Sequence, residues 1–289
     1  NDAVALATGD YIGLLDHDDV LEPDALAEVA AALHADPSID YIYTDEDLLT
    51  QDGTMRDHFR KPDWSPERFR NQMYVCHFSV IKTSLLRQVG GFRIGFDGSQ
   101  DYDLMLRVTE HAHKVHHIPK ILYHWRIVDG SVAADPTAKP YAYLAGQRAV
   151  EEHCQRVGIA ADISPVATLP SNYRVVRQDD PNMPPITALL VDTGAESSVW
   201  GEQRRHAPET AFHLTHMSTF RKLTIDVRAQ GSQTRTEVLN RAVQECSTEF
   251  IVLASEALAV DTHNWCEILY GFARQADVGM VAPYLWTAN

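Results

Sequence analysis

Carboxylates carry most of the chemistry this chain could do. Asp16, Asp18 and Asp19 stand in the run Asp16-His-Asp-Asp19, straight after the apolar stretch Tyr11-Ile-Gly-Leu-Leu15. Carboxylates one residue apart at a strand end can converge on a hard cation such as Mg2+ or Mn2+. The competing reading is an acidic loop that only turns the chain or caps a helix, since aspartate favours both. Three aspartates leaving a buried strand repel one another without a cation, which favours the metal. Asp101 and Asp103 open a segment with apolar residues at helical spacing (Leu104, Met105, Val108). A carboxylate there can act as general base toward a substrate hydroxyl, or both can simply complement the helix dipole. The residues alone leave these two readings even. Arg107 suits a structural ion pair. His116 and His117 point to opposite faces of a strand and cannot form a two-ligand site by themselves. His124, within Tyr123-His-Trp-Arg126, is the histidine that could complete a metal site with the aspartates. Asp45-Glu46-Asp47 is either a solvated turn or part of a ligand-binding wall, the second slightly preferred. Trp64, in Lys61-Pro-Asp-Trp64, is either a platform for a sugar ring or a buried core residue.

The elements that must position these residues alternate between strand and helix. Asn1–Leu6 reads as a helix end, closed by Gly9. Tyr11–Leu15 is predicted as a strand buried on both faces. Pro23 and Asp24 open a helix to about Leu33, with Leu26, Val29, Ala30 and Leu33 on one face. Asp40–Thr44 makes a second strand that ends in the Asp45–Asp47 acids. Residues 50–70 read as irregular, and Cys76–Ile81 as a strand before a helix over 83–89. A glycine-bearing loop, Phe92–Ser99, leads into the helix that begins at Asp101, with Ser99 placed to cap it. Val115–Arg126 reads as strand and turn, and Tyr141–Val157 as a helix. In open α/β sheets chemistry collects at the carboxyl ends of strands, where both acidic runs are expected to lie.

Residues 158–185 form a proline-rich acidic connector, with weak strand character at Tyr173–Val176. A fresh buried strand, Ile186–Val191, then ends at Asp192. Placing residue 240 on residue 1 reveals an internal repeat in which Asn, Ala, Val, Ile and Leu coincide and Tyr11 meets Phe250. The repeat replaces Asp16-His-Asp-Asp19 with Ser255-Glu-Ala-Leu258, where Glu256 alone could bind a metal. The expected organisation is a first domain over 1–157, a linker over 158–185, and the front of a similar, degenerate domain over 186–289. A permuted domain, in which 186–239 supplies strands to the first unit, is the lesser alternative.

Composition narrows the function. The 289 residues carry a net charge of −15, with 45% hydrophobic and 22% charged residues. So acidic a chain is poorly suited to coat nucleic acid, which needs a basic surface. No apolar run approaches the ~20 residues that span a bilayer. The four scattered cysteines fit no metal-ligand spacing and read as reduced structural thiols in a cytosolic setting. The chain starts at Asn1 with neither an initiator methionine nor a signal peptide, which reads as a fragment.

Taken in order, AxATGDYIGLLDHDD, YTDED, FRKPDWSP, GGFR, FDGSQDYDLMLR and HIPKILYHWR resemble the inverting, nucleotide-sugar-dependent glycosyltransferases of family 2 across residues 1–150. The likeness is greatest to bacterial enzymes that extend surface polysaccharides, including the rhamnosyltransferase-like proteins of O-antigen assembly. It implies an α/β GT-A fold, a Rossmann-like and mostly parallel sheet flanked by helices, with a second, partial and degenerate copy behind it. It implies that Asp16 and Asp18, with Asp19 beside them, bind the donor and a Mg2+ or Mn2+ ion. It further implies Asp101 as catalytic base and His124 as a residue that reaches the metal or diphosphate. Gln100 stands where the family often has Glu. Asp45, Glu46, Asp47, Trp64 and Asp103 are the candidates for acceptor binding. The implied partners are a UDP- or dTDP-sugar donor and a saccharide or lipid-linked saccharide acceptor. The setting is cytoplasmic, with the inner membrane face open to it through such an acceptor. Family nucleotide-binding strands are expected before Asn1. A non-catalytic carbohydrate- or partner-binding scaffold on the same fold is the rival reading, and a nucleotide-sugar hydrolase the enzymatic one.

Overall fold

The computed structural model describes residues 1–128, 140–192, 221–226, 234–255 and 264–283. The chain divides into two units, Asn1–Val176 and Arg177–Asn289. The first begins with α1 (Asp2–Leu6), β1 (Tyr11–Leu14), β2 (Val20–Leu21), α2 (Ala25–Ala35), β3 (Tyr41–Leu49) and β4 (Met55–Phe59). It continues through α3 (Pro66–Asn71), β5 (Ser79–Lys82), α4 (Thr83–Gln88), α5 (Gln100–Thr109), β6 (Val115–Arg126), α6 (Pro140–Arg156), β7 (Ala161–Pro165) and β8 (Tyr173–Arg177).

The central sheet runs β1-β5-β3-β6-β2, with β4 on β3. Period-two alternation sorts the side chains of β3. Tyr41 and Tyr43 enter one core with Leu104, Met105 and Leu106 of α5 and Ala149 and Val150 of α6. Ile42 enters the other core, with Ala25 and Val29 of α2. Full burial of a leucine side chain contributes about 1.5–3 kcal/mol, so α5, buried from Tyr102 through Val108, is held firmly against the sheet. That fixes Asp101, one residue before the buried run.

Several expectations are revised here. The fold is α/β as expected, but this sheet is mixed rather than mostly parallel. Only β3 and β6 pair in parallel, while β5 runs against both β1 and β3. After β3 the chain stays at its carboxyl end until Phe78, so β5 must run back. β1 is half-buried rather than covered on both faces, with Gly13 exposed, because β5 is its one neighbour among the described strands. The irregular stretch 50–70 contains β4 and α3, the latter capped by Ser65 with Pro66 in its first turn. Residues 158–176, read as connector, pack into the first unit, where Tyr173 and Val175 lie in the core.

In the second unit β9 (Ile186–Asp192) is central, with β10 (Arg221–Asp226) and β11 (Phe250–Ser255) parallel on either side. Its described helices are α7 (Arg235–Gln244), opened by a capping box of Thr234 and Glu237, and α8 (Trp265–Ala273). Phe250, set on Tyr11 by the internal repeat, likewise opens a strand that follows a helix. Glu256 lies outside the described residues. All four cysteines are free thiols. Among the described residues no helix is long and apolar enough to cross a membrane.

Candidate functional site

β1 stops at Leu14, and the backbone turns at once, the Asp19 N–H donating to the Asp16 carbonyl at 3.2 Å. The turning role of these acids is therefore realised, but it does not use all three carboxylates. Asp19 is tied down on both sides. Its carboxylate accepts the Tyr123 hydroxyl and the Arg126 N–H at 2.7 Å. The Arg126 side chain also donates to the Asp18 carbonyl at 2.5 Å. β6 thus pins the loop from behind. Burial raises the Asp19 carboxyl above its usual range, and these two hydrogen bonds only partly offset that. Asp16 is exposed, and its carboxylate accepts no hydrogen bond from the described residues. Asp18 is partly covered and lies 3.6 Å from the exposed ring of His17. Two of the three acids are left free to face a ligand.

Asp101 sits in the first turn of α5, with the Gln100 amide donating to it at 3.1 Å. Burial pushes its carboxyl above the usual carboxylate range; positive charge on His77 opposes this and negative charge on Asp16 adds to it. The structure therefore brings Asp101 and Asp16 into one electrostatic neighbourhood, from elements far apart in sequence. Ser99, expected as a cap, makes no side-chain cap. Its hydroxyl donates instead to the Ala142 carbonyl at 2.7 Å, tying the loop to α6.

The remaining candidates have structural duties. Asp45, Glu46 and Asp47 do not end a strand, because β3 continues to Leu49. All three are buried, so they cannot form the proposed acceptor wall. Asp45 accepts the Lys61 N–H at 2.9 Å and bonds His117 at 2.8 Å. Glu46 pairs with Lys61 at 3.0 Å, and Asp47 bonds His124 Nδ1 at 2.6 Å. His124 also meets Glu22 at 3.2 Å through Nε2. Both ring nitrogens thus face carboxylates of this chain. Asp103 is fully buried between Arg93 and Arg107, which hold its carboxyl low against the effect of burial; it is no acceptor ligand. Arg107 makes the expected ion pair, at 2.7 Å. Trp64 packs on Phe69 and Tyr74, centroids 5.2 and 6.4 Å away, so the core reading accounts for much of its surface.

Reading the residues in order missed His77, Lys61, Glu22 and Tyr123. Lys61 lies in an irregular segment, where no periodicity says which side chains turn inward, and His77 falls within the strand expected over Cys76–Ile81, which begins only at Ser79. Tyr123 stood in plain view beside His124, but its bond to Asp19 depends on β2 pairing with β6.

The donor set was tested against a divalent cation. Among the described residues no group of three or more His, Cys, Asp and Glu side chains is arranged to hold one. A Mg2+-type ion commonly takes one or two carboxylates and fills its shell with water and substrate phosphates. Asp16 and Asp18 fit that pattern and do not fit an all-protein cage.

Residues 1–90 match the family model for glycosyl transferase family 2. The chain is 34% identical to the uncharacterized protein y4gI of Sinorhizobium fredii, over 99% of its own length and 34% of that protein. It is 33% identical to the O-antigen biosynthesis protein RfbC of Myxococcus xanthus, over 97% of this chain and 23% of RfbC. The Pasteurella multocida chondroitin synthase is 32% identical over 45% of this chain and 13% of that protein. The chain thus spans from about an eighth to about a third of the length of these curated relatives.

Proposed function

We propose that the first unit, whose residues 1–90 match the glycosyl transferase family 2 model, transfers a sugar, with inversion, from a nucleotide sugar to a saccharide hydroxyl. The observation that carries the reading is Asp101, in the first turn of α5 and partly buried, its pKa raised by burial and further by the negative charge of Asp16. A base serves best when its pKa approaches the working pH. Asp101 takes the proton of the acceptor hydroxyl as its oxygen attacks the anomeric carbon. The bond from that carbon to the diphosphate oxygen breaks, the electron pair leaving with the nucleoside diphosphate. Attack from the opposite face inverts the centre.

Asp16 and Asp18 would hold a Mg2+ or Mn2+ ion, which when bound supplies charge neutralisation on the leaving diphosphate. Asp19 holds the loop that presents them. The kinship with an O-antigen biosynthesis protein supports a bacterial surface polysaccharide as the product. The donor class we favour is a UDP- or dTDP-sugar. A lipid-linked acceptor would bring the protein to the inner face of the membrane.

Asp101→Asn in the full chain tests the assignment. A panel of UDP- and dTDP-hexoses is incubated with short saccharides, and product is read by mass spectrometry. Transfer is abolished while Mn2+-dependent UDP binding, followed by calorimetry, stays within about threefold, because a base lost from the transition state leaves ground-state binding alone. Wild-type rates in the variant overturn the base assignment. Product that appears only as free sugar, whatever saccharide is offered, identifies a hydrolase instead.

A further inference from the structure

A recess opens beside the loop that leads into α5. Its volume is about 260 Å³, and it is lined by Gly95 and Asp97 of that loop and by Tyr141, Leu144, Ala145 and Arg148 of α6. Those four positions of α6 follow helical spacing, so one stripe of the helix faces the recess. Tyr141 and Leu144 are 55% and 68% exposed, so the stripe presents apolar surface to solvent. The loop opposite is fixed in place. Phe96 is buried, with the guanidiniums of Arg93 and Arg148 each 4.4 Å from its ring centroid. Arg148 also donates to the Gly95 carbonyl, and the Ser99 hydroxyl donates to that of Ala142. Gly98, at φ +78°, lies so near α6 that a Cβ there would stand 2.7 Å from the Ala142 Cβ and 3.2 Å from the Tyr141 ring. The recess is therefore pre-formed.

Its charges are unspent. Asp97 is exposed, and among the described residues its carboxylate makes no hydrogen bond or ion pair. Arg148 lines the same recess yet pairs with no carboxylate of the described residues. A guanidinium has five N–H donors, and the Gly95 carbonyl occupies only part of that fork. An apolar ligand would strand both charges, an anion would meet Asp97 and a cation would meet Arg148. A sugar ring answers all of these groups. Its C–H face packs on an aromatic face, while its hydroxyls donate to a carboxylate and accept from a guanidinium. The volume falls just under the roughly 300–1,000 Å³ of pockets that enclose a drug-sized molecule, which suits one ring and not a nucleotide sugar. We propose that this recess is a carbohydrate subsite, in which one ring of an oligosaccharide acceptor rests on Tyr141 and Leu144 with its hydroxyls held between Asp97 and Arg148. Asp97 precedes Asp101 by four residues, a span of at most about 14 Å between their Cα atoms. A short chain of sugars can therefore fill the recess while its terminal hydroxyl lies at the base, so the acceptor is a chain and not a single sugar.

A saccharide is expected here because the first unit is read as a sugar transferase, yet the test needs no turnover. The full chain and its variants are applied to an array of bacterial O-polysaccharide and capsular oligosaccharides, printed beside their component monosaccharides. Affinities for the glycans that bind are then measured by calorimetry. The wild type binds at least one oligosaccharide, and more tightly than any of the monosaccharides. Tyr141→Ala and Asp97→Ala each weaken that binding by about tenfold or more, the scale of one lost hydrogen bond to a charged group. Tyr141→Phe, which keeps the ring, stays within about threefold. Both side chains are exposed, so melting midpoints should shift by no more than about 2 °C; if Tyr141→Ala melts earlier than that, Asp97→Ala decides alone. Three results overturn the proposal: no glycan of the array bound, wild-type affinity in either alanine variant, or a loss in Tyr141→Phe as large as in Tyr141→Ala. Binding lost in Asp101→Asn but kept in Tyr141→Ala places the saccharide at the base alone and overturns it too. The transfer assay separates the two readings. Transfer retained by Asp101→Asn removes the base assignment and leaves the array to decide the subsite. A dead Asp101→Asn with unmoved glycan affinity in Tyr141→Ala removes the subsite alone.

Discussion

Two acidic runs in the same sheet meet opposite fates. Asp16, Asp18 and Asp19 follow a strand that stops, and Asp45, Glu46 and Asp47 lie within a strand that continues. Where β1 stops, the backbone turns and Asp16 is left at the surface. Where β3 continues, hydrogen-bonded to β4, β5 and β6 along its length, its acids are carried into the interior and each must find a partner. An unpaired buried carboxylate costs several kcal/mol. Lys61, His117 and His124 are the partners that make the second run tolerable. Whether an acidic run can take a ligand is thus decided by the backbone after it, not by the number of acids.

The largest test of that contrast is Asp18→Ala. Transfer should fall by about a thousandfold, roughly 4 kcal/mol of transition-state stabilisation at 1.36 kcal/mol per decade. The thermal midpoint should move by no more than about 2 °C, since surface substitutions away from buried networks change stability little. Initial rates and a melting curve on one preparation decide it; transfer near the wild-type level would place the loop with the structural acids. Asp45→Ala should behave in the opposite way. It strands His117 and the Lys61 N–H, so denaturant unfolding should show a loss of about 3–5 kcal/mol, the cost of breaking a buried pair. The rate per folded molecule should change far less than in Asp18→Ala. A loss below about 1 kcal/mol would mean that β3 does not need its partners.

A pH profile sharpens the same contrast through Asp101. Because burial raises its carboxyl, the acid limb of kcat/KM should lie above the ordinary carboxylate range of about 4. The rate should fall as pH drops through that raised value and the base takes up its proton. Glu110 predicts a limb of another kind, in stability. Although burial works against it, His153 and Arg156 pull its carboxyl down to about 2. Its contribution is complete above the unfolded value near 4.5 and is lost as pH falls toward 2. Unfolding free energies between pH 6 and 2, for wild type and Glu110→Gln, should converge at the acid end.

What could be read from the residues follows the same logic. The helix after Ser99, the strand at Val115 and the strand at Ile186 are visible because apolar spacing reports local structure directly. Asp16, Asp18 and Asp101 stood out as candidates because each follows or opens such an element. The role of Asp45 did not stand out, since the four apolar or neutral residues before it, Tyr41–Thr44, gave no sign that β3 would run on to Leu49. His124 was read as a ligand because a histidine beside an acidic motif looks free until its partners are known. Those partners, Asp47 and Glu22, come from β3 and the loop after β2. Pairing across strands far apart in the chain has no local trace, and that hid both the closed acids and His77.

Asp19 divides the two classes within one loop, and it is the finest test. By sequence it belongs with Asp16 and Asp18, but by contact it behaves like Asp45, with Tyr123 and the Arg126 N–H on its carboxylate. Asp19→Asn removes two things at once. The amide oxygen can accept only part of what two carboxylate oxygens accept, and a lost hydrogen bond costs about 0.5–1.5 kcal/mol. The same change removes a half-buried charge whose ionisation the fold opposes, and that returns part of the loss. The net cost should therefore be about 1 kcal/mol or less in denaturant unfolding. Asp19→Ala, which forfeits both bonds without leaving an acceptor, should cost more. Because Asp19 holds the loop and does not face the ligand, the rate should drop by about tenfold at most, through displacement of Asp16 and Asp18. A thousandfold drop in Asp19→Asn, with stability unchanged, would move Asp19 across the divide and make all three aspartates of the loop ligands.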